Sequence, residues 1–282
     1  MSGVSGPGKR AAVVDPNGQP RGAATRQTDS AMAGSQPWLP YLPGIAAIVM
    51  WEACAYLFFP EFLPRPSRVV LALPEVVTNP NFWGSVATTM LAIVEGIIIG
   101  LAMGVPTGLL LGRVTPARWF GERYLHALNA MPVVAIIPLS TLWLGYSNNM
   151  RLAVTALSAF LPIAIQMIDG TRQLPTSYLE VARSFHAKRS QIWVGVAIPA
   201  AMPFLIGGLQ LAAGRAMVTG ITAEMVAAIQ GLGFYVIFET RSFHHNQAFV
   251  GILVIAGFGI FLLWVIRKAT ARLVPWYRPA GE

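Results

Sequence analysis

Six apolar stretches follow one another along the chain from residue 43 onward. They cover roughly residues 43–59, 86–112, 124–145, 150–168, 195–224 and 248–266. A helix needs about 20 residues to cross ~30 Å of hydrocarbon. The last stretch, Ala248–Ile266, contains no charged residue, whereas the first is short and contains Glu52. The pattern predicts about six transmembrane helices.

The charge content excludes an ordinary soluble domain. Only 11% of the residues are charged and 55% are hydrophobic, whereas a soluble domain carries roughly 25% charged residues. The single cysteine, Cys54, has no intrachain partner for a disulfide. The chain is therefore predicted to be an all-α integral membrane protein, in which lipid replaces water as the solvent for most side chains.

The basic residues predict the orientation of the chain in the membrane. If the N-terminus is cytoplasmic, 15 of the 20 Lys and Arg residues fall in cytoplasmic segments. Four fall in external segments, namely Arg65, Arg68, Arg151 and Arg241. Lys and Arg concentrate in cytoplasmic loops, so both termini are predicted to be cytoplasmic. The same dispersal among loops argues against a nucleic-acid-binding surface.

The two ends of the chain differ from the apolar region between them. Gly, Pro and Ser occupy 14 of the first 37 positions, which predicts that residues 1–37 form a disordered cytoplasmic tail. Residues 38–273 are predicted to form the transmembrane domain, and 274–282 a second cytoplasmic tail. The near match to a phosphate-binding loop at residues 3–9 carries Arg10 where Ser or Thr is required.

Five glycines recur at every fourth position of the second apolar stretch: Gly96, Gly100, Gly104, Gly108 and Gly112. Such a stripe lets another helix approach closely, either within the chain or across a dimer seam. It drifts by about 40° per repeat on a straight helix, so a crossing partner is predicted.

Four ionisable residues lie in or near the predicted spans: Glu52, Glu95, Arg215 and Glu224. An unpaired charge costs about 2.5–3.5 kcal/mol inside a membrane, so each is predicted to pair between helices or to face a solute path. Glu224 is predicted at the outer end of its helix, within reach of solvent. Arg215 is a candidate to attract an anionic substrate. Polarity selects six candidate path residues: Ser140, Trp143, Gln210, Arg215, Thr219 and Thr222.

Catalytic and metal-binding patterns are weak. No Ser-His-Asp, Cys-His or paired-carboxylate arrangement is evident. His244 and His245 are adjacent in a predicted external loop and have no further His or Cys nearby, which predicts a solvated loop and no metal site.

The most specific segment is the loop at about 170–193. Thr176 or Ser177 is predicted to cap a short helix, with Glu180 three residues after Ser177 completing a capping box. The segment resembles the EAA loop of ATP-binding-cassette (ABC) importer permeases. Glu180-Val181-Ala182 is followed, after three residues, by His186 and, after nine more, by Val196-Ala197-Ile198-Pro199. His186 stands where the family has a glycine, and His tolerates the positive φ expected there.

The similarity extends over residues ~60–240 to nitrate, sulfonate and taurine-type permeases. It rests on Phe62–Ser67, Gly104–Gly112, Met131–Gly145, Ala223–Met225 and Gly231–Gly233. The resemblance implies a type I importer permease of the bacterial inner membrane. It assigns contact with the ATPase to seven residues: Glu180, Val181, Ala182, Arg183, His186, Ala187 and Lys188.

The resemblance also implies partners and a division of labour. Two permease copies would pair, two ATPase subunits would use ATP and Mg²⁺, and an external binding protein would deliver a small solute, with an oxyanion or sulfonate favoured. This chain would bind no cofactor itself and would not be an enzyme. The alternative is an ion-coupled secondary transporter that uses Glu52 and Glu95, although no inverted repeat is visible. No catalytic constellation supports a membrane-embedded enzyme.

Overall fold

A computed structural model describes residues 41–58, 63–113 and 115–274, which contain helices and no β-strand. The helices are α1 (Leu42–Leu57), α2 (Pro66–Thr78), α3 (Pro80–Arg113), α4 (Thr115–Ala130), α5 (Ile137–Leu144), α6 (Asn148–Arg172), α7 (Thr176–Ser184), α8 (Arg189–Ile192), α9 (Ile198–Ala227), α10 (Leu232–Arg241) and α11 (His245–Leu273). The predicted tail 1–37, and all of 274–282 except Val274, lie outside these residues.

Within the described ranges, four segments are long and apolar enough to cross a membrane: Pro80–Arg113, Asn148–Arg172, Ser190–Ala227 and His245–Arg272. The third predicted span is instead broken, because Arg118–Ala130 and Val133–Leu144 meet at 85°. The break falls at Met131-Pro132, where proline removes a backbone donor and disfavours helical geometry in the residue before it. The first predicted span corresponds to α1, whose 16 residues are fewer than a perpendicular crossing needs.

The chain divides into two units, Met1–Leu57 and Phe58–Glu282. The described part of the first is α1 and the residue before it. In the second unit, α6 is the central helix: 15 of its 25 residues are buried, and it packs between α3 and α9. Ile93, Ile163, Ala213 and Phe258 belong to the main core, which therefore joins α3, α6, α9 and α11.

The glycine stripe of α3 faces α6 along its whole length. A Cβ added to Gly96 would lie 2.6 Å from Thr155 Cγ2, and one added to Gly104 would lie 2.8 Å from Ile163 Cγ2. Gly112 meets Thr171 in the same register, so the two helices run in the same direction. Packing within the chain is therefore confirmed. α6 contacts all five glycines, so a helix of the same chain occupies the whole stripe.

Candidate functional site

A cavity of about 370 Å³ lies where the broken span meets α9. Its polar lining residues are Asn129, Ser158, Arg215 and Thr219, and Met131 and Pro132 at the break also line it. Arg215 Nη1 donates a hydrogen bond to Asn129 Oδ1. Thr219 Oγ1 donates to Ser158 Oγ over 2.9 Å, so α6 also contributes a polar group.

Two of the six predicted path residues, Arg215 and Thr219, line this cavity. The other four lie outside its lining. Ser140 is buried, and its hydroxyl donates to the Ile136 carbonyl over 3.0 Å. Thr222 donates to the Val218 carbonyl over 2.7 Å.

Trp143 is 73% exposed on α5, and Gln210 is half-buried on α9. Asn129 and Ser158 were not among the path residues predicted from the sequence. The Met131-Pro132 pair was the sequence signal that pointed to Asn129. A broken helix in a membrane is tolerated where it lines a cavity, so polar residues beside the break are candidates for a cavity lining.

Glu224 is fully buried and paired, not within reach of solvent, so that part of the sequence prediction is wrong. Its Oε1 lies 2.7 Å from Arg151 Nη1. The Thr89 hydroxyl lies 2.8 and 2.9 Å from the two carboxylate oxygens, and the Gly233 amide donates to Oε2 over 2.8 Å. Pairing between helices is confirmed for Glu224. Its partner Arg151 had been assigned to an external segment and is only 2% exposed.

The same network fixes the turn between α9 and α10. The Leu232 amide donates to Thr89 Oγ1 over 2.7 Å, and Arg151 Nη1 donates to the Gln230 carbonyl over 3.1 Å. The turn begins at Ala228, which has φ of +52°. Three spans (α3, α6 and α9) and one turn are thereby joined through a single buried ion pair.

The loop predicted to contact a partner forms a short helix, a turn and a second short helix. α7 begins at Thr176 after Pro175, which provides no side-chain cap, so the predicted capping box is wrong. Proline occupies the N-cap position, and Thr176 and Ser177 are the first two residues of the helix. Before the second helix, the Lys188 amide donates a hydrogen bond to Gln191 Oε1 over 2.7 Å, so the Gln191 side chain caps the start of α8.

His186 has φ of +54°, as predicted for the position where the family has a glycine. Its amide donates to the Arg183 carbonyl over 2.9 Å, and the Ala187 amide donates to the Ala182 carbonyl over 3.1 Å. These two bonds form a Schellman-like end to the helix. The turn therefore has the geometry that glycine favours, with histidine occupying the left-handed position.

An apolar face of α7 and its turn is exposed in this chain. Tyr178 and Val181 are each 56% exposed, and Phe185 is 81% exposed. Spacings of three and four residues place them on one side. Glu180, Arg183 and Lys188 are exposed beside them. Tyr178 and Phe185 were not among the contact residues predicted from the sequence.

The described residues contain no group of three or more His, Cys, Asp or Glu side chains placed to hold a metal ion. His244 Nδ1 lies 2.9 Å from Glu239 Oε2, and His245 begins α11. Glu95 is exposed on α3.

Long apolar helices, a broken span beside a polar cavity and an exposed helical loop define the subunit of a membrane transporter. The chain belongs to the family described as binding-protein-dependent transport system inner membrane component, whose model matches residues 96–275. It is therefore a multi-pass permease subunit of the bacterial inner membrane and not an enzyme. In this family, the ATPase is a separate subunit.

Two relatives illustrate the match. The chain is 27% identical over 235 residues to the taurine transport system permease protein TauC of Escherichia coli (strain K12), covering 81% of this chain and 86% of that protein. It is 29% identical over 238 residues to a putative aliphatic sulfonates transport permease protein of Bacillus subtilis (strain 168), covering 83% and 86%.

The fold also matches a solved structure of the MetNI methionine ABC transporter in an inward-facing conformation. The TM-score is 0.57 at 19% identity, and the match covers 70% of this chain and 97% of that chain. This similarity shows the fold alone.

Proposed function

We propose that this permease carries a small solute with an oxyanion or sulfonate group through the Arg215 cavity. The observation that supports this is the unbalanced charge of Arg215: none of the described residues that line the cavity is acidic. A lone cation within a span is costly, and an anionic solute would offset that cost. The volume of about 370 Å³ lies in the range of small-ligand sites. The names of the taurine and sulfonate permeases support the same class.

The energy would come from ATP and Mg²⁺ bound by a partner ATPase and not by this chain. The apolar face formed by Tyr178, Val181 and Phe185 would dock on the ATPase, with Glu180, Arg183 and Lys188 at the rim. Closure of two ATPase subunits would draw two copies of this loop together and move the attached spans as rigid bodies. An external binding protein would deliver the solute, and both termini would face the cytoplasm.

The proposal is tested by uptake into proteoliposomes that contain the complete transporter. The probe is radiolabelled taurine, a zwitterion whose sulfonate group is the anionic part. Arg215→Gln should lower uptake at least tenfold while ATPase association is unchanged, and Arg215→Lys should retain part of it. Arg241→Gln, on the exposed end of α10, is the matched control.

Full taurine uptake by Arg215→Gln would contradict the anion assignment. Uptake that persists in the absence of the ATPase would instead support the ion-coupled alternative, and Glu95→Gln would then be the informative variant.

A further inference from the structure

One face of α4 is polar over its whole described length. Arg118, Glu122, His126 and Asn129 recur at intervals of four, four and three residues. At 100° per residue, these four positions lie within an arc of about 80°. Asn129 is the last of the four along the chain and lines the Arg215 cavity.

The other faces of α4 have different surroundings. Gly121 and Leu125 face the core: a Cβ on Gly121 would lie 2.6 Å from Leu111 Cδ2, and Leu125 is 7% exposed. Phe120 and Tyr124 are 65% and 68% exposed, on a face distinct from the polar one. α4 therefore has a core face, an exposed apolar face and a polar face.

A second cavity, of about 520 Å³, lies along the part of the polar face between Arg118 and His126. Its lining consists of Arg118, Trp119, Glu122, Arg123, His126 and Arg172.

Positive charge dominates this second cavity. Arg172 Nη1 lies 2.7 Å from Glu122 Oε1, so the one acidic group among the described lining residues is neutralised by α6. Arg123 lies over the Trp119 ring, 4.5 Å from its centroid. Within the described part of the chain, neither Arg118 nor Arg123 pairs with a carboxylate. The lining thus carries three arginines against one glutamate.

We propose that the polar face of α4 lines the cytoplasmic half of the solute path and forms a cationic exit from the Arg215 cavity to the cytosol. This rests on the proposed function. A polar face within a membrane span is stable where it meets water or protein and not where it meets lipid. The distribution of Lys and Arg predicts that the Arg118 end lies at the cytoplasmic side.

The positive charge of this lining fits a solute with an anionic group. A cleft of positive potential raises the local concentration of anions and speeds their passage. A solute that leaves Asn129 and Arg215 would first pass His126, about one helical turn closer to the start of α4. It would then pass Arg123 and Arg118.

Cysteine accessibility tests the proposal in the complete transporter. Cys54 is the only cysteine, so Cys54→Ser provides the background for single cysteines. His126→Cys lies on the polar face, and Tyr124→Cys on the exposed apolar face is the matched control. Inside-out vesicles expose the cytoplasmic side to methanethiosulfonate reagents carrying a sulfonate or a trimethylammonium group.

Two results are expected. His126→Cys should react at least tenfold faster than Tyr124→Cys with the anionic reagent, and ATP with vanadate should slow this reaction. Adding Arg118→Gln and Arg123→Gln should lower the ratio of anionic to cationic reaction rates by about threefold per charge, because partly screened charges in a hydrated cleft act over about 10 Å.

Equal reactivity of the two cysteines, or a rate ratio unaffected by removing both arginines, would overturn the proposal. If His126→Cys does not assemble, Arg118→Cys answers the accessibility question in its place. Labelling requires no transported solute, so its outcome is separable from that of the uptake assay. Arg215-dependent taurine uptake with an unreactive His126→Cys would refute the exit alone. A reactive polar face without taurine uptake would refute the substrate class alone.

Discussion

Removing one partner of the buried Arg151–Glu224 pair should destabilise the permease strongly, and removing both charges should cost less than the sum of the two single losses. The side chains are 3% and 0% exposed, and the ion pair measures 2.7 Å. Glu224→Gln leaves the Arg151 guanidinium buried without its counter-charge. Arg151→Met leaves the Glu224 carboxylate buried without its counter-charge. Each single variant should lose about 3 kcal/mol, at the low end of values for broken buried pairs.

The double variant Arg151→Met/Glu224→Gln removes both charges. The amide oxygen that the second substitution introduces can still accept hydrogen bonds from the Gly233 amide and the Thr89 hydroxyl, which now donate to the carboxylate. The loss in the double variant should therefore be smaller than the sum of the two single losses by at least about 2 kcal/mol, within the range of coupling energies between contacting residues.

Thermal unfolding of the detergent-solubilised permease measures these differences. A loss of about 3 kcal/mol corresponds to a fall in Tm of about 6–12 °C for a chain of this size. His244→Ala is the control, because it breaks an exposed pair with Glu239 and should cost less than about 1 kcal/mol. Single losses no larger than the control, or strictly additive losses in the double variant, would refute the reasoning.

Three further predictions concern helix packing and the loop at residues 176–192. Gly100→Ala should destabilise the fold by about 1–3 kcal/mol in the same unfolding assay, because the new Cβ would lie 2.7 Å from Ala159 Cβ. Gly84→Ala, where the added Cβ meets open space, should be neutral or stabilising. His186→Gly should retain full ATP-driven uptake because glycine adopts the observed φ of +54° without strain, and a loss would show that the imidazole itself is needed. Phe185→Asp should weaken co-purification of the ATPase at least tenfold with unchanged Tm, whereas Phe243→Asp, similarly exposed elsewhere, should not; equal effects would argue against docking at α7.

The sequence predicted the local features correctly where a few neighbouring residues decide them. Hydrophobic length indicated the four long spans, and the loop spacing located a turn whose φ at His186 is positive. The capping box was wrong because Pro175, which has no capping side chain, occupies the N-cap position.

Features that depend on contacts between distant residues were not predictable in the same way. Glu224 and Arg151 are 73 positions apart, and their pairing depends on how α6 and α9 are rotated about their axes. Polarity alone selected Ser140 and Trp143 for the path, but the structure directs neither into the cavity. Asn129 was missed because only the 85° break places it opposite Arg215.

By itself, the sequence determined that this chain enters a membrane, where the four long spans lie and where a helical loop leaves the membrane. Apolar length and local turn chemistry are properties of contiguous residues. The tertiary structure alone decided which helix fills the glycine stripe, which charge neutralises Glu224 and where polar groups converge on a cavity. Those outcomes depend on the relative rotation and close approach of helices far apart in the chain, which the order of residues along any one helix does not specify.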